Sequence, residues 1–361
     1  MKPRNIAIAC GVAGVAVGLA AVTGIVYRKQ IKSAASLKRL TGYADSYDLY
    51  AIDIAYDYDL DRIIAAGVRD DQAYIDAVVA QVLPGVPVHV QAPQFACSAF
   101  VAVDAEGRVR TGRNYDFKDD TSSLLVRNHP RGGYASIGFA ALNNLGDNTP
   151  LDSVGGRAAA LMGPFAQLDG VNECGVSIAV LTLDSKPCDQ DTQRPVINTS
   201  LAIRLVLDRA ATTQEAVNLL SAYDTHAMAG RDYHFFINDA ASDARVVEWD
   251  PRDPNRAFKA TPVRQVTNFY ACYGDEVLPN QKNDELGHGK ERAVAIADVL
   301  DAHAGAQDEA VAWKALRAAA QEPNPEDITS NTQWSVIFDN TEPAAAITLR
   351  RHWGDVDAFA L

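Results

Sequence analysis

The sequence predicts an α+β protein in four layers, αββα, with two β-sheets packed face to face between layers of helix. Three observations lead there. From residue 97 onward, short apolar and β-branched runs recur at 97–104, 108–117, 122–128 and 134–140, then at 165–169 and 176–183. Helical periodicity interrupts them at 197–210 and 213–223, and again at 290–303 and 308–320. Strands return at 233–238, 244–249, 264–268, 334–339 and 345–351. A Gly-rich turn region separates 140 from 165, and Thr212 ahead of Glu215 reads as a threonine cap with an acidic first turn. No internal repeat or low-complexity tract is visible.

Before residue 97 the chain divides into two parts. Residues 6–27, from Ile6 to Tyr27, are uncharged and almost wholly apolar, and 22 residues at about 1.5 Å each span a hydrocarbon core. They read as a membrane anchor, with an uncleaved or late-cleaved signal as the alternative, because no small-x-small cleavage site abuts them. Arg28, Lys29, Lys32, Lys38 and Arg39 make residues 28–42 a basic polar linker. That positive charge favours a cytoplasmic body. The short basic start at Lys2 and Arg4 favours export, and the extracytoplasmic side is preferred. Residues 43–96 are too patterned for linker. Alternation over 43–60 reads as a strand or two at a sheet edge, 60–82 carries helical periodicity, and Leu83-Pro84-Gly85-Val86-Pro87 is a break before Cys97.

The net charge of −13 falls wholly in residues 97–361, since residues 1–96 hold nine basic and nine acidic side chains. No basic stripe occurs, which argues against nucleic acid. The five cysteines show no CxxC pair and no ligand-like spacing with histidine, so no metal or organic cofactor is implied. A Cys174–Cys188 bridge stays open, as does a homo-oligomer.

The chemistry concentrates in Cys97-Ser98-Ala99-Phe100 followed by Gly112-Arg113-Asn114-Tyr115-Asp116-Phe117. Pairing 97–104 with 108–117 through a turn at Asp104-Ala105-Glu106-Gly107 brings Arg113 and Asp116 near Cys97. Strand alternation puts those two on opposite faces unless the chain bends after Gly112. A thiol beside a guanidinium and a carboxylate is a setting for a thiolate nucleophile. An exposed Arg–Asp pair is the plain alternative. The seven histidines fit no Cys–His pairing, which weighs against a papain-like site.

This stretch resembles the choloylglycine hydrolase and penicillin V acylase family of N-terminal-nucleophile amidases, over roughly residues 97–350. The offsets from Cys97 to Arg113 and Asp116 and the Gly-Arg-Asn-x-Asp signature carry the resemblance. It implies the αββα N-terminal-nucleophile hydrolase sandwich over 97–361, preceded by the anchor with its linker (1–42) and a pro-segment (43–96). It implies cleavage at Ala96–Cys97, freeing an α-amine that serves as base. Arg113 would favour the thiolate and Asp116 would orient the amine or the thiol.

By the same resemblance, Gly170-Val171-Asn172-Glu173-Cys174-Gly175 turns into a strand whose Thr182 donates a backbone N–H to the oxyanion. Threonine replaces the family's usual asparagine or tyrosine there, which speaks against bile-salt specificity. Asn172 reads equally as a turn residue. Asn268, in Val266-Thr267-Asn268, is the second oxyanion donor, and Arg292 in Lys290-Glu291-Arg292 the last active-site arginine, or else a helix-surface charge. Met162, Pro164 and Phe165 are expected at an apolar acyl pocket, whereas Trp334, Phe338 and Trp249 read as core. The expected reaction is hydrolysis of a linear amide in a small N-acyl substrate through a Cys97 thioester. An acyltransferase of the penicillin-forming type and an uncut, membrane-anchored binder of amphiphiles are the alternatives.

Overall fold

The computed structural model describes residues 27–84, 96–145, 151, 153–280, 286–324 and 330–361. The apolar stretch expected to be an anchor lies, up to residue 26, outside the described residues. Among those described, no helix is long and apolar enough to cross a membrane.

The chain opens with α1 (Arg28–Ser36), β1 (Lys38–Arg39), β2 (Leu49–Ile54), α2 (Leu60–Ala65) and α3 (Asp71–Val82). Where a linker was expected over 28–42, a helix and a short strand form. The small residues of α1 explain it. Ser33 is fully buried against the chain following β2, its Oγ accepting the Ala55 N–H at 2.8 Å, while Ser36 Oγ takes that of Asp53 at 2.9 Å. The basic residues Arg28, Lys29 and Lys32 stay on the exposed side. The helical periodicity over 60–82 divides into two helices, because Asp70 caps a new one by accepting the Ala73 N–H.

Next come β3 (Ala96–Val103), β4 (Val109–Asp116), β5 (Ser123–Asn128), β6 (Ser136–Ala141), α4 (Val154–Ala160), β7 (Gln167–Asn172) and β8 (Ser177–Leu183). The middle holds β9 (Val196–Asn198), α5 (Thr199–Arg209), α6 (Thr213–Ser221) and β10 (Asp224–His226). Then follow β11 (Asp232–Asn238), β12 (Arg245–Trp249), β13 (Phe258–Pro262), β14 (Gln265–Val266), α7 (Gly274–Asn280), α8 (Lys290–Ala302) and α9 (Glu309–Ala319). The chain closes with β15 (Thr332–Asp339), β16 (Ala344–Leu349) and β17 (Asp357–Ala360). Thr212 caps α6 as expected, accepting the Glu215 N–H.

Among the described residues nine strands form one sheet in the order β1-β2-β5-β6-β7-β8-β11-β12-β13, six form a second in the order β14-β3-β4-β15-β16-β17, and β9 and β10 pair in parallel apart from both. β2 runs parallel to β5, so a strand from the N-terminal region is built into the larger sheet. The outer layers are α5, which packs on β7 and β8, and the α8–α9 pair, which packs on β3, β4, β14 and β15. This is the expected αββα sandwich.

Strand alternation sorts β3 between the two interfaces. Phe100 and Ala102 face α8 and α9, meeting Ile296, Leu300, Ala315 and Leu316. Cys97, Ala99 and Val101 face the other way, into the core between the sheets. The β7–β8 turn depends on Gly175, at φ +82, where an added Cβ would stand 2.1 Å from the Asn340 carbonyl oxygen. Gly175→Ala is expected to cost on the order of 1–2 kcal/mol or more, to be read as a lower urea midpoint.

Candidate active site

Cys97 is fully buried and lies opposite Tyr115 in the β3–β4 ladder, which runs from Ala96↔Asp116 to Val103↔Val109 without a shift. The expected turn closes this hairpin, Asp104 Oδ1 accepting the N–H groups of Glu106 and Arg108. No bend follows Gly112. That glycine makes room for the Phe100 ring, whose Cζ would stand 2.2 Å from a Cβ there. Arg113 and Asp116 therefore do occupy opposite faces.

Arg113 points between the sheets, on the face of Cys97. Its Nε pairs with Asp169 Oδ2 at 2.8 Å, both side chains fully buried, and Nη2 donates to the Val180 carbonyl. Its guanidinium lies 5.2 Å from the Tyr115 ring centre and 5.7 Å from that of Trp334. Asp169 also accepts from Trp334 Nε1 and from the Phe139 N–H. Burial nevertheless pushes its pKa up to about 6, against the pull of Arg113.

Asp116 lies on the helix side. It accepts from Thr332 Oγ1 at 2.6 Å, Gln321 Nε2 at 2.9 Å and Arg292 Nη1 at 3.4 Å. Burial raises its pKa in spite of these three partners.

Arg292 joins the two sides. From the first turn of α8 it enters the core and is almost wholly buried, while its neighbour Glu291 stays exposed. Nη1 donates to the Cys97 carbonyl at 2.8 Å, and Nη2 donates to Asn268 Oδ1 at 2.7 Å. The same Oδ1 accepts the Cys97 N–H at 3.1 Å, and Asn268 Nδ2 donates to the Thr182 carbonyl at 2.8 Å. Asn268 is thus the junction of the site, two residues past the short strand β14 that pairs with Ala99 and Phe100. Thr182 sits near the end of β8, beyond the last residues paired with β7. A strand residue sends its N–H and C=O to the same side, so the Thr182 N–H leaves β8 on the edge where its carbonyl meets Asn268.

Gly289 makes the approach of Arg292 feasible. It precedes α8 at φ +88, and a Cβ there would stand 2.5 Å from Arg292 Nη2 and 2.7 Å from Thr267 Oγ1. Gly289→Ala is expected to displace Arg292 and lower stability by about 1–2 kcal/mol, a shift measurable by urea denaturation.

The thiol itself is not a thiolate here. Burial pushes the Cys97 pKa up to about 12, outweighing the lowering pull of Arg113 and Arg292. Arg113, expected to hold the thiolate, spends its charge on Asp169. Asn172 is a turn residue: its Nδ2 donates to the carbonyls of Leu207 and Ala210, and its Oδ1 accepts the N–H groups of Cys174 and Val176. Met162, Pro164 and Phe165, expected at an acyl pocket, are buried, and the turn Gly163–Phe165 packs on β5 and α5. Cys174 and Cys188 are free thiols, so the bridge left open by the sequence is not formed. Among the described residues no cluster of His, Cys, Asp and Glu could hold a metal. Asp169, Gln321 and Thr332 were missed by the sequence reading.

Residues 103–352 match the sequence model of the family described as acyl-coenzyme A:6-aminopenicillanic acid acyl-transferase. The chain belongs to this acyl-transferase family. The match begins six residues after Cys97 and covers Arg113, Asp116, Thr182, Asn268 and Arg292. No curated protein matches by sequence. Among solved structures, a mutant of the conjugated bile acid hydrolase from Clostridium perfringens aligns with a TM-score of 0.57 at 13% identity, covering 73% of this chain and 92% of that one. Penicillin V acylase from Agrobacterium tumefaciens aligns with a TM-score of 0.53 at 20% identity, covering 73% and 86%. This acyl-transferase family member thus shares its fold with both, in keeping with the resemblance read from Cys97 to Phe117.

Proposed function

We propose that the protein is an amidase that cuts its own chain at Ala96–Cys97 and then uses Cys97 as an N-terminal nucleophile on small N-acyl compounds. One observation carries this reading: Asn268 Oδ1 receives the Cys97 N–H while Arg292 grips the Cys97 carbonyl. An acceptor for a free α-amine already meets the nitrogen that cleavage would release, and the carbonyl of the same residue is held beside it. In the self-cutting step, Sγ attacks the Ala96 carbonyl carbon, the Ala96–Cys97 C–N bond breaks and the thiol proton passes to the departing nitrogen. Water then opens the Ala96 thioester, leaving a carboxylate at Ala96.

A thiol with a pKa of about 12 is almost wholly protonated at neutral pH, so it needs a base close by. A free α-amine, with an ordinary pKa near 7.7–8.0, supplies one without a histidine. On substrate, Sγ forms the thioester, the α-amine returns the proton to the leaving amine, and water releases the acid. The second hydrogen of Asn268 Nδ2, together with the Thr182 N–H, supports the oxyanion. Activity should fall as pH drops below roughly 7–8 and the amine gains its proton. Conjugated bile acids, phenoxyacyl or fatty-acyl amides and N-acyl amino acids are the substrate classes to try.

The family match favours a second reading, in which an amine rather than water takes the acyl group. Intact mass and N-terminal sequencing test the common step, and adding hydroxylamine to the reaction separates the two outcomes by the yield of hydroxamate. A chain that stays uncut and forms no thioester would sink both. In the uncut chain Cys97 should resist iodoacetamide, and in the cut chain it should react at least tenfold faster, followed by mass of the labelled peptide.

A further inference from the structure

Behind Asn268 lies a buried pair that the reaction scheme does not use. His234 on β11 and Glu248 on β12 are both fully buried, one register position beyond the Phe235↔Val247 pair. His234 Nδ1 stands 3.2 Å from Glu248 Oε2, and Nε2 stands 3.0 Å from the Thr267 carbonyl oxygen. Both ring nitrogens face acceptors, so hydrogens must lie on both contacts. Glu248 also accepts the N–H groups of Ala271 and Cys272.

We propose that His234, paired with Glu248, is a positioning residue that fixes the turn carrying Asn268 from both of its ends. His234 holds residue 267, immediately before Asn268, and Glu248 holds residues 271 and 272, just after it. The backbone between them is further pinned by Asn268 O, which accepts the His288 N–H at 2.8 Å. The Asn268 side chain must reach Cys97, Arg292 and Thr182 at once, and a turn free to shift by about 1 Å would lose one of them at a cost of roughly 10² in rate. The pair touches neither Cys97 nor the scissile bond, so it acts only through Asn268. This inference rests on the role given to Asn268 above.

The test compares His234→Ala with the double variant His234→Gln, Glu248→Gln. Two glutamines can rebuild the line of contacts from Thr267 to Cys272 without charge. The amide nitrogen at position 234 then donates to the Thr267 carbonyl, and the amide nitrogen at position 248, in the place of Oε2, donates to the amide oxygen at 234. The amide oxygen at 248, in the place of Oε1, accepts the Cys272 N–H, and only the Ala271 N–H loses its acceptor. His234→Ala should lower kcat on an N-acyl substrate about 10²-fold with KM changed less than about twofold, and the double variant should recover to within a few-fold of the parent. Independently of activity, in ¹⁵N NMR of the Cys97→Ala protein the Asn268 side-chain amide signals should move in His234→Ala and return in the double variant. Asn268 signals unmoved in His234→Ala would overturn the assignment. Those spectra decide it even where no amidase activity is found, and where His234→Ala does not fold, the single variant His234→Gln, whose amide oxygen would meet the Glu248 carboxyl, takes its place.

Discussion

Cys97→Ala is expected to abolish both cleavage of the Ala96–Cys97 bond and turnover of N-acyl substrates, while the protein still folds. The thiol is the only atom group changed, and neither Asn268, Arg292 nor the strand ladder depends on it: Cys97 engages them through its backbone N–H and carbonyl. Loss of one buried sulfur should cost on the order of 1–2 kcal/mol. Removing a nucleophile that works as a unit with its base typically costs about 10⁴–10⁶ in rate. Mass spectrometry should find the variant uncut and an amide-hydrolysis assay should find no turnover above background. Full activity in a folded Cys97→Ala protein would refute the mechanism.

Arg113→Leu is expected to lower stability by about 3–5 kcal/mol, because it strands the fully buried Asp169 without its cation. The pH dependence identifies the cause. The folded pKa of Asp169, pushed up to about 6, exceeds the ordinary unfolded value near 3.9. A raised carboxyl contributes stability that is fully present below the unfolded pKa and lost as pH rises through the folded one. Without Arg113 the folded pKa rises further, so the loss extends to higher pH. Urea denaturation should therefore show a larger deficit for Arg113→Leu at pH 8 than at pH 5. An equal deficit at both would mean that packing against Tyr115 and Trp334, not the charge, is what Arg113 supplies.

Much of the architecture was legible because it is local. The β3–β4 hairpin, the Thr212 cap and most strands announce themselves in alternation, turn residues and caps within a few positions. The same locality explains the misreadings. Residues 28–42 looked like linker because the value of Ser33 and Ser36 lies in the chain at the end of β2 that they bond, about 20 residues away. A bend after Gly112 stayed open because the Phe100 ring that fills the space above it belongs to the facing strand. Asn268 and Arg292 were found through short motifs, whereas Asp169, Thr332 and Gln321 carry no motif. Thr332 stands 216 residues from Asp116 in sequence, and no window along the chain couples them. His234 is one of the seven histidines that fit no cysteine pairing, and its partner Glu248 sits 14 residues on, in the next strand.

The parallel pairing of β2 with β5 changes what unfolding means for a cut protein. Residues 49–54 are hydrogen-bonded along the whole of β5, and Tyr58 bonds Asp208 of α5. Cleavage at residue 96 would leave these contacts in place but sever the tether between their two sides. An uncut chain refolds at a rate independent of its concentration. The cut one would melt by dissociation into two polypeptides, with a midpoint that climbs as the sample is concentrated and a recovery that fails on dilution. Such a molecule would be assembled once, during its first folding, and would carry its N-terminal piece as a subunit from then on.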